Sequence, residues 1–174
     1  MSPMINLTAL LLTILTGLPQ QGDTLQTVAE QSGYKATARH GDVVALCKEL
    51  ARKYPNAQYS ELGLSAEGRP LPLLILADPP VHNAEEATRS GKLIVLAIGN
   101  IHAGEVCGKE ALPMLARELL TSTDHALFKD LVIVLAPIYN ADGNERVSKT
   151  NRPGQKVLAN EIGKRIQIIG RLGL

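Results

Sequence analysis

Two short, almost uninterrupted apolar segments constrain the fold of this chain more than any other feature. One runs from Leu93 to Ile98 and ends at Gly99-Asn100, and the other runs from Leu131 to Ala136 and ends at Pro137. Segments that are apolar at nearly every position are typical of strands covered on both faces. A helical pattern from about Glu105 to Leu120 lies between them. The order strand, helix, strand predicts a parallel pair joined by a right-handed crossover.

The segment before these strands adds a helix and a strand. From Asp42 onward, apolar residues recur at steps of three and four until Pro55 stops the pattern, as on one face of a helix. These residues are Val43, Leu46, Cys47, Leu50 and Tyr54. A further apolar run, Leu73 to Ala77, is interpreted as a strand. We therefore expect an α/β fold with a mixed, largely parallel central sheet and helices on both of its faces.

The helix between the two apolar strands is less regular. Its apolar face is predicted from Leu112, Leu115, Ala116 and Leu119. Pro113 lies within it and is expected to kink it, because proline removes one hydrogen bond of the helix.

The first forty residues differ from the rest of the chain. Residues 1–22 hold the apolar run Leu7 to Leu18, which suits a signal peptide and is too short to span a bilayer. Residues 23–40 are polar without firm periodicity, which predicts a linker or pro-segment. Export implies an extracytoplasmic location, either periplasmic or secreted. No other stretch of the sequence predicts a stable membrane span.

Composition and charge exclude some classes of function. Apolar residues make up 45% of the 174 residues, which is enough for one buried core. The net charge is +1 with scattered Lys and Arg, which argues against binding to nucleic acid. The two cysteines, Cys47 and Cys107, lack paired zinc-binding spacing. Cys47 is predicted to be a buried thiol; whether the two pair stays open, as does the oligomeric state.

A histidine and a glutamate stand three residues apart just after the strand Leu93 to Ile98. Ligands of open α/β sheets gather at the carboxyl ends of strands, and on a first helical turn His102 and Glu105 can face one point. An imidazole and a carboxylate are two of the three protein ligands typical of a catalytic Zn²⁺. Gly104 between them allows a sharp turn. The alternative is an exposed histidine beside a glutamate stabilised by the helix dipole.

Four sequence elements resemble, in order, those of the carboxypeptidase A-like zinc metallocarboxypeptidases. Leu62 to Leu71 is similar to the family's G-x-S-x-E-G-R-P-L hairpin, and the next element is the strand that leads into the H-x-x-E pair. Pro137 to Gly143 is similar to the family's P-x-x-N-P-D-G turn, with Ala141 where proline is usual. Lys149 to Arg152 resembles the segment that supplies an arginine near the metal. The resemblance covers roughly residues 58–153.

The resemblance implies zinc-dependent hydrolysis of a C-terminal peptide bond, with a peptide as the substrate. It assigns His102 and Glu105 to the Zn²⁺ ion and Arg152 to the developing oxyanion, with Arg146 as the alternative for that arginine. An amidase or deacylase of the same fold would act on acylated amino acids, but the E-G-R-P-L hairpin favours the peptidase branch. A non-catalytic binding domain is the alternative outside enzymes.

The residues after Arg165 depart from the family pattern. The family's D-x-N-R segment is expected there, but the chain continues from Ile166 to Leu174 with a different, apolar sequence. The family's third zinc ligand, general base and substrate-binding tyrosine have no match, and His125 is interpreted as a surface residue. We therefore expect residues 41–174 to be a partial zinc carboxypeptidase-like domain, incomplete relative to the family and inactive as this chain.

Overall fold

The computed structural model describes residues 25–122 and 126–148, which form helices on both sides of one sheet. In chain order the elements are α1 (Val28–Gln31), α2 (His40–Lys53), β1 (Ala57–Leu64), β2 (Pro70–Leu76), α3 (Ala84–Arg89), β3 (Leu93–Ile98), α4 (Cys107–Thr121), α5 (Ala126–Asp130), β4 (Leu131–Ala136) and α6 (Ala141–Glu145). Within these residues, no helix is both long enough and apolar enough to cross a membrane.

The sheet is mixed, with the strand order β1-β2-β4-β3. β3 and β4 pair in parallel through α4, and Leu93 faces Leu131 in the register, so the predicted strand–helix–strand unit is confirmed. β1 pairs antiparallel with β2, and β2 pairs antiparallel with β4. The parallel share of the described strands is therefore smaller than expected, because a hairpin supplies two of the four strands.

The hairpin β1–β2 is longer than the sequence pattern indicated. β1 mixes polar and apolar residues and has an irregularity in register between Glu61 and Gly63, so it lacks a clean two-residue period. At its turn, the backbone N–H of Gly68 donates to the carbonyl of Ser65, and Gly68 has φ +78°, which glycine adopts without strain. β2 begins at Pro70, ahead of the apolar run that predicted it.

One face of the sheet carries the main core, between the strands and the helices α2 and α4. Leu50 of α2 and Ala116 of α4 are fully buried there against Leu74, Leu76 and Leu135. The predicted apolar face of α2 is confirmed, since Val43 and Cys47 are also buried. In α4 the helix continues through the buried Pro113, but Leu115 is partly exposed, and Leu120 takes the inner position instead.

The opposite face of the sheet has less cover. The short helix α3 packs Ala87 against Val132, with Ile75 and Val134 around them. β3 forms an edge of the described sheet, and its side chains are exposed, with Leu93 at 67% and Leu96 at 58%. The prediction that both faces of β3 are covered is therefore wrong for the described residues. Helices do lie on both faces of the sheet, as expected.

Residues 25–39 are held against α4 by charged side chains. The carboxylate of the buried Glu110 accepts hydrogen bonds from the Thr37 hydroxyl at 2.7 Å and from the backbone N–H of Ala38 at 2.6 Å. Arg117 donates to both carboxylate oxygens of Glu30, at 2.5 and 2.8 Å. The linker or pro-segment expected at 23–40 stays a prediction as regards processing, but residues 25–39 pack as part of the domain.

Candidate metal centre

The two predicted metal ligands lie in a turn between β3 and α4. The backbone N–H of Glu105 donates to the carbonyl of His102 at 3.1 Å, and Gly104 has φ +82°. A turn that needs a positive φ at its third residue favours glycine there. The pair was expected on a first helical turn, but α4 begins only at Cys107. Residues 100–105 are called the metal turn below.

The turn brings the two side chains together on the protein surface. Nδ1 of His102 lies 3.0 Å from each carboxylate oxygen of Glu105. The side chains are 58% and 38% exposed, so solutes can reach them. Two donors that each lie about 2.1 Å from one zinc ion at a tetrahedral angle are about 3.4 Å apart. The pair therefore fits two positions of a zinc site after a small separation of the side chains.

A third ligand is not present in the part of the chain that the structure describes. Within residues 25–122 and 126–148, His, Cys, Asp and Glu form no group of three that could hold a metal ion. His102 and Glu105 thus offer two donors, and a complete site needs a third ligand from elsewhere.

Asn100 is a buried residue at the start of the metal turn, and the sequence pattern did not single it out. Its side-chain Nδ2 donates to the carbonyls of Glu105 at 3.1 Å and His102 at 3.4 Å. The residue is only 3% exposed, and its Oδ1 has no hydrogen-bond partner among the residues that the structure describes. Its φ is +50°, a conformation that asparagine adopts more readily than most residues.

The segment after β4 continues the pairing with the segment after β3. The N–H of Gly99 donates to the carbonyl of Ala136 at 2.9 Å, and the N–H of Tyr139 donates to the carbonyl of Gly99 at 3.1 Å. The N–H of Asn140 donates to the carbonyl of Asn100 at 3.0 Å. Because the carboxyl ends of these parallel strands share an edge, the metal turn lies beside the start of α6.

The predicted hairpin and the predicted N-x-D-G segment meet at Asp142. Its Oδ1 accepts from the Ser65 hydroxyl at 2.7 Å and from Arg69 Nη1 at 2.6 Å, and its Oδ2 accepts from the N–H of Glu67 at 3.1 Å. These bonds hold the pKa of Asp142 below its usual value, the Ser65 hydroxyl being the largest cause. Two segments far apart in the sequence are thereby fixed to each other next to the metal turn.

Of the two arginines that are candidates for the oxyanion, the structure describes only Arg146. Arg146, which follows α6, forms an ion pair with Glu67 of the hairpin turn. Hydrogen bonds from Arg69, the larger cause, and from Arg146 lower the pKa of the Glu67 carboxylate. Arg152 lies outside the described residues, so its position relative to the metal turn stays a prediction.

A cleft of about 260 Å³ lies apart from the metal turn, between α1, α2 and the start of α4. Lys109 and Glu110 are among its lining residues, and both are buried. Their charged atoms are already bonded to residues 29–38 and, for Lys109, to Asn144. The cleft does not include His102 or Glu105.

Comparison with known proteins connects these features to one family. The sequence model described as zinc carboxypeptidase matches residues 43–167, which is most of the chain. The metal turn, the hairpin turn and the segment around Asp142 all lie within this match. No curated protein matches the chain.

Two solved structures have a similar fold. Carboxypeptidase A from Helicoverpa armigera is 20% identical with a TM-score of 0.55, and the alignment covers 79% of this chain and 32% of that one. Bovine thrombin-activatable fibrinolysis inhibitor, in complex with tick carboxypeptidase inhibitor, is 18% identical with a TM-score of 0.55, covering 69% and 36%. The chain thus spans about a third of the length of these structures. Since the family model matches well over half of its residues, the chain belongs to the zinc carboxypeptidase family.

Proposed function

We propose that the domain to which these residues belong hydrolyses C-terminal peptide bonds at a zinc ion held by His102 and Glu105. The observation that carries this proposal is the convergence of the two side chains, with Nδ1 of His102 3.0 Å from both oxygens of Glu105. Membership of a zinc carboxypeptidase family supplies the reaction class. When bound, zinc polarises the scissile carbonyl and lowers the pKa of a water molecule.

The residues of the chain have separate tasks in this proposal. His102 and Glu105 hold the ion at the carboxyl edge of the sheet. Arg152 donates to the oxygen of the scissile carbonyl as negative charge develops on it. Arg146 is the weaker candidate for that task because its guanidinium is paired with Glu67. The peptide binds beside the exposed metal turn; acylated amino acids are the alternative substrates, and nucleic acid is not expected to bind.

Zinc titration tests the metal site directly. We expect the chain to bind zinc weakly, because two described ligands are fewer than the three of a catalytic site. His102→Ala and Glu105→Ala should each remove this binding. His82→Ala is the matched control, since His82 is an exposed histidine before β3. Zinc binding that survives both alanine variants would refute the assignment of these two ligands.

Hydrolysis is tested with peptides that end in a free carboxylate. A general base contributes roughly 10²–10⁴ in rate, and the sequence offers no match to the family's base, so the 174 residues should release no detectable amino acid. Where the gene encodes a longer product, that product should release amino acids in a chelator-sensitive manner that His102→Ala abolishes. Chelator-sensitive hydrolysis by the 174 residues would contradict the expected inactivity. Zinc binding without hydrolysis by the longer product would favour a binding domain.

We also propose that the protein is exported. The support is the apolar run Leu7 to Leu18, which lies outside the described residues. Removal of residues 1–22 would leave the packed segment that begins at Leu25 intact. N-terminal sequencing of the mature protein tests this proposal, since an uncleaved Met1 in an intracellular fraction would contradict it.

A further inference from the structure

We propose that Asn100 is a positioning residue that holds the metal turn in the conformation in which His102 and Glu105 converge. The inference rests on the proposed metal site and assigns to Asn100 a role in shaping it. Asn100 is not itself a ligand of the metal ion in this arrangement. It acts through the backbone of the two ligand residues.

The side chain of Asn100 closes the metal turn from inside. Its Nδ2 donates to the carbonyls of both His102 and Glu105, which are the first and last residues of the hydrogen-bonded part of the turn. The turn has one backbone hydrogen bond of its own, from the N–H of Glu105 to the carbonyl of His102. The amide of Asn100 therefore connects both ligand residues to the protein interior, and Asn100 itself is only 3% exposed.

The backbone of Asn100 connects the metal turn to the segment after β4. Its carbonyl accepts from the N–H of Asn140 at 3.0 Å. The side chain of Asn140 in turn accepts from the N–H of Gly143 and caps α6. Asn100 therefore joins the two loops at this end of the sheet, next to Gly99, whose carbonyl accepts from the N–H of Tyr139.

The Oδ1 of Asn100 accepts no hydrogen bond from the described residues, so the side chain contacts the metal turn through Nδ2 alone. A buried acceptor without a partner is unfavourable. Exchange of the two amide atoms would place the oxygen against two carbonyl oxygens, so the present orientation is the favourable one. With φ at +50°, glycine would fit the backbone and would remove the unpaired acceptor. What glycine could not supply is the donor to the ligand residues.

Two substitutions separate this role from a general effect on folding. Asn100→Gly keeps the backbone conformation and removes the side-chain donor. Asn100→Asp keeps the shape but places a carboxylate oxygen against the carbonyls of His102 and Glu105. Asn83→Gly is the matched control, since Asn83 is also an asparagine with a local hydrogen-bonding role, at the start of α3.

The first measurement is zinc affinity together with the melting temperature, on the full chain with zinc alone as the probe. Loss of a residue that supports metal ligands typically lowers affinity 10–100-fold. We expect at least a roughly tenfold loss in both Asn100 variants. Asn100→Gly should melt within about 4 °C of the wild type, and Asn83→Gly should bind zinc as the wild type does. A role in general stability would instead lower the melting temperature without a selective loss of zinc.

The second measurement is hydrogen exchange of the metal-free chain, which does not depend on zinc. The amides of residues 101–106 should exchange at least about tenfold faster in both Asn100 variants, while the amides of β3 and α4 keep their protection. Unchanged exchange in the metal turn, or loss of protection throughout β3 and α4, would overturn the proposal. If the wild type and His102→Ala bind zinc equally, the proposed metal site fails, and exchange alone then decides the role of Asn100.

Discussion

The residues Lys109 and Glu110 are adjacent in α4 and both buried, yet both are charged side chains. Lys109 donates to the carbonyl of Ala38 and to Oδ1 of Asn144. Glu110 accepts from the same stretch of chain, at Thr37 and Ala38. The hydrogen bonds explain how two charges are accommodated next to the core, because a buried ion without partners is strongly unfavourable. They do not remove the penalty for burying the lysine ammonium.

Lys109 should give the protein a measurable alkaline dependence of stability. Burial lowers its pKa from 10.5 to about 8, and this outweighs the nearby charge of Glu110, which acts in the opposite direction. Between pH 8 and pH 10.5 the unfolded chain keeps a proton that the folded chain has lost, so the free energy of unfolding rises with pH there. The gain is on the order of 3 kcal/mol across this window, and it is lost as the pH falls from 10.5 to 8.

Urea unfolding at pH 7.5, 9 and 10.5, compared with Lys109→Met, isolates this contribution from other titrating groups. The wild type should gain stability relative to the variant as the pH rises. Parallel pH profiles for the two proteins would show that Lys109 titrates normally and is not desolvated.

Single residues differ in how far the sequence alone could reveal their roles. His102 and Glu105 are recognisable because their spacing and their place after a strand are local features. Asn100 was not predicted as a functional residue, because its hydrogen bonds depend on the closed turn. The contacts of Asp142 depend on the packing of a hairpin turn that lies more than 70 residues earlier in the chain. Only the motif around Asp142 therefore indicated its importance.

At the level of elements, β3 and α4 approach each other unusually closely. A side chain at Gly99 would meet the carbonyl carbon of Gly108 at 2.7 Å, and a side chain at Gly108 would meet Cα of Gly99 at 2.7 Å. Both obstacles are backbone atoms, which cannot rotate away. The two glycines therefore set the distance between the strand end and the helix that flank the metal turn.

Gly108→Ala should destabilise the protein by about 1–3 kcal/mol, because the added methyl group overpacks a contact between two backbones. It should also weaken zinc binding, since the metal turn spans the displaced elements. Gly41→Ala is the control: Gly41 lies in α2 with nothing within 4 Å of the added carbon, and alanine there should stabilise the helix by roughly 0.5–1 kcal/mol. Chemical denaturation measures the change in stability of each variant, and zinc titration measures the change in zinc binding. Equal stability of Gly108→Ala and wild type would contradict the close approach.

The elements were predictable where their periodicity was simple. β3 and β4 have the same bounds as the apolar runs that predicted them. β1 was missed because its polar residues and its irregular register disrupt a two-residue period. Leu115 was assigned to the inner face of α4, but it is 38% exposed, and Leu120 is buried. The buried face of a helix is predicted with small rotational errors of this kind when only its apolar periodicity is known, because the elements that pack against it decide which residues are buried.

For the molecule as a whole, the main feature is that β3 is an exposed edge strand of the described sheet. Leu93 and Leu96 are mostly exposed there, and Ile94 is exposed at 45%. Long apolar edge strands promote association between chains. The mixed α/β fold could be predicted from the sequence, but exposure of this strand could not, because its apolar composition is that of a buried strand.

We expect the chain on its own to self-associate through β3, measured by sedimentation velocity over a range of concentrations. Leu96→Lys should shift the distribution towards the monomer, since a charged side chain on an edge strand opposes pairing. Leu127→Lys provides the comparison, because Leu127 is 52% exposed on the short helix α5 rather than on a strand. A monomeric wild type at all concentrations, with a sharp cooperative melt, would contradict the prediction and favour a self-sufficient domain.

The strand order has a consequence during synthesis on the ribosome. β4 is the last of the four described strands in chain order, but it lies between β2 and β3 in the sheet. At roughly 5–20 residues per second, translation reaches Leu131 about two to seven seconds after Ile98. Throughout that interval β3 has no neighbour with which it can form its described ladder. The apolar segment stays unpaired for that time, and the hydrogen bond from Asn140 to the carbonyl of Asn100 in the metal turn can form only after β4 has been made.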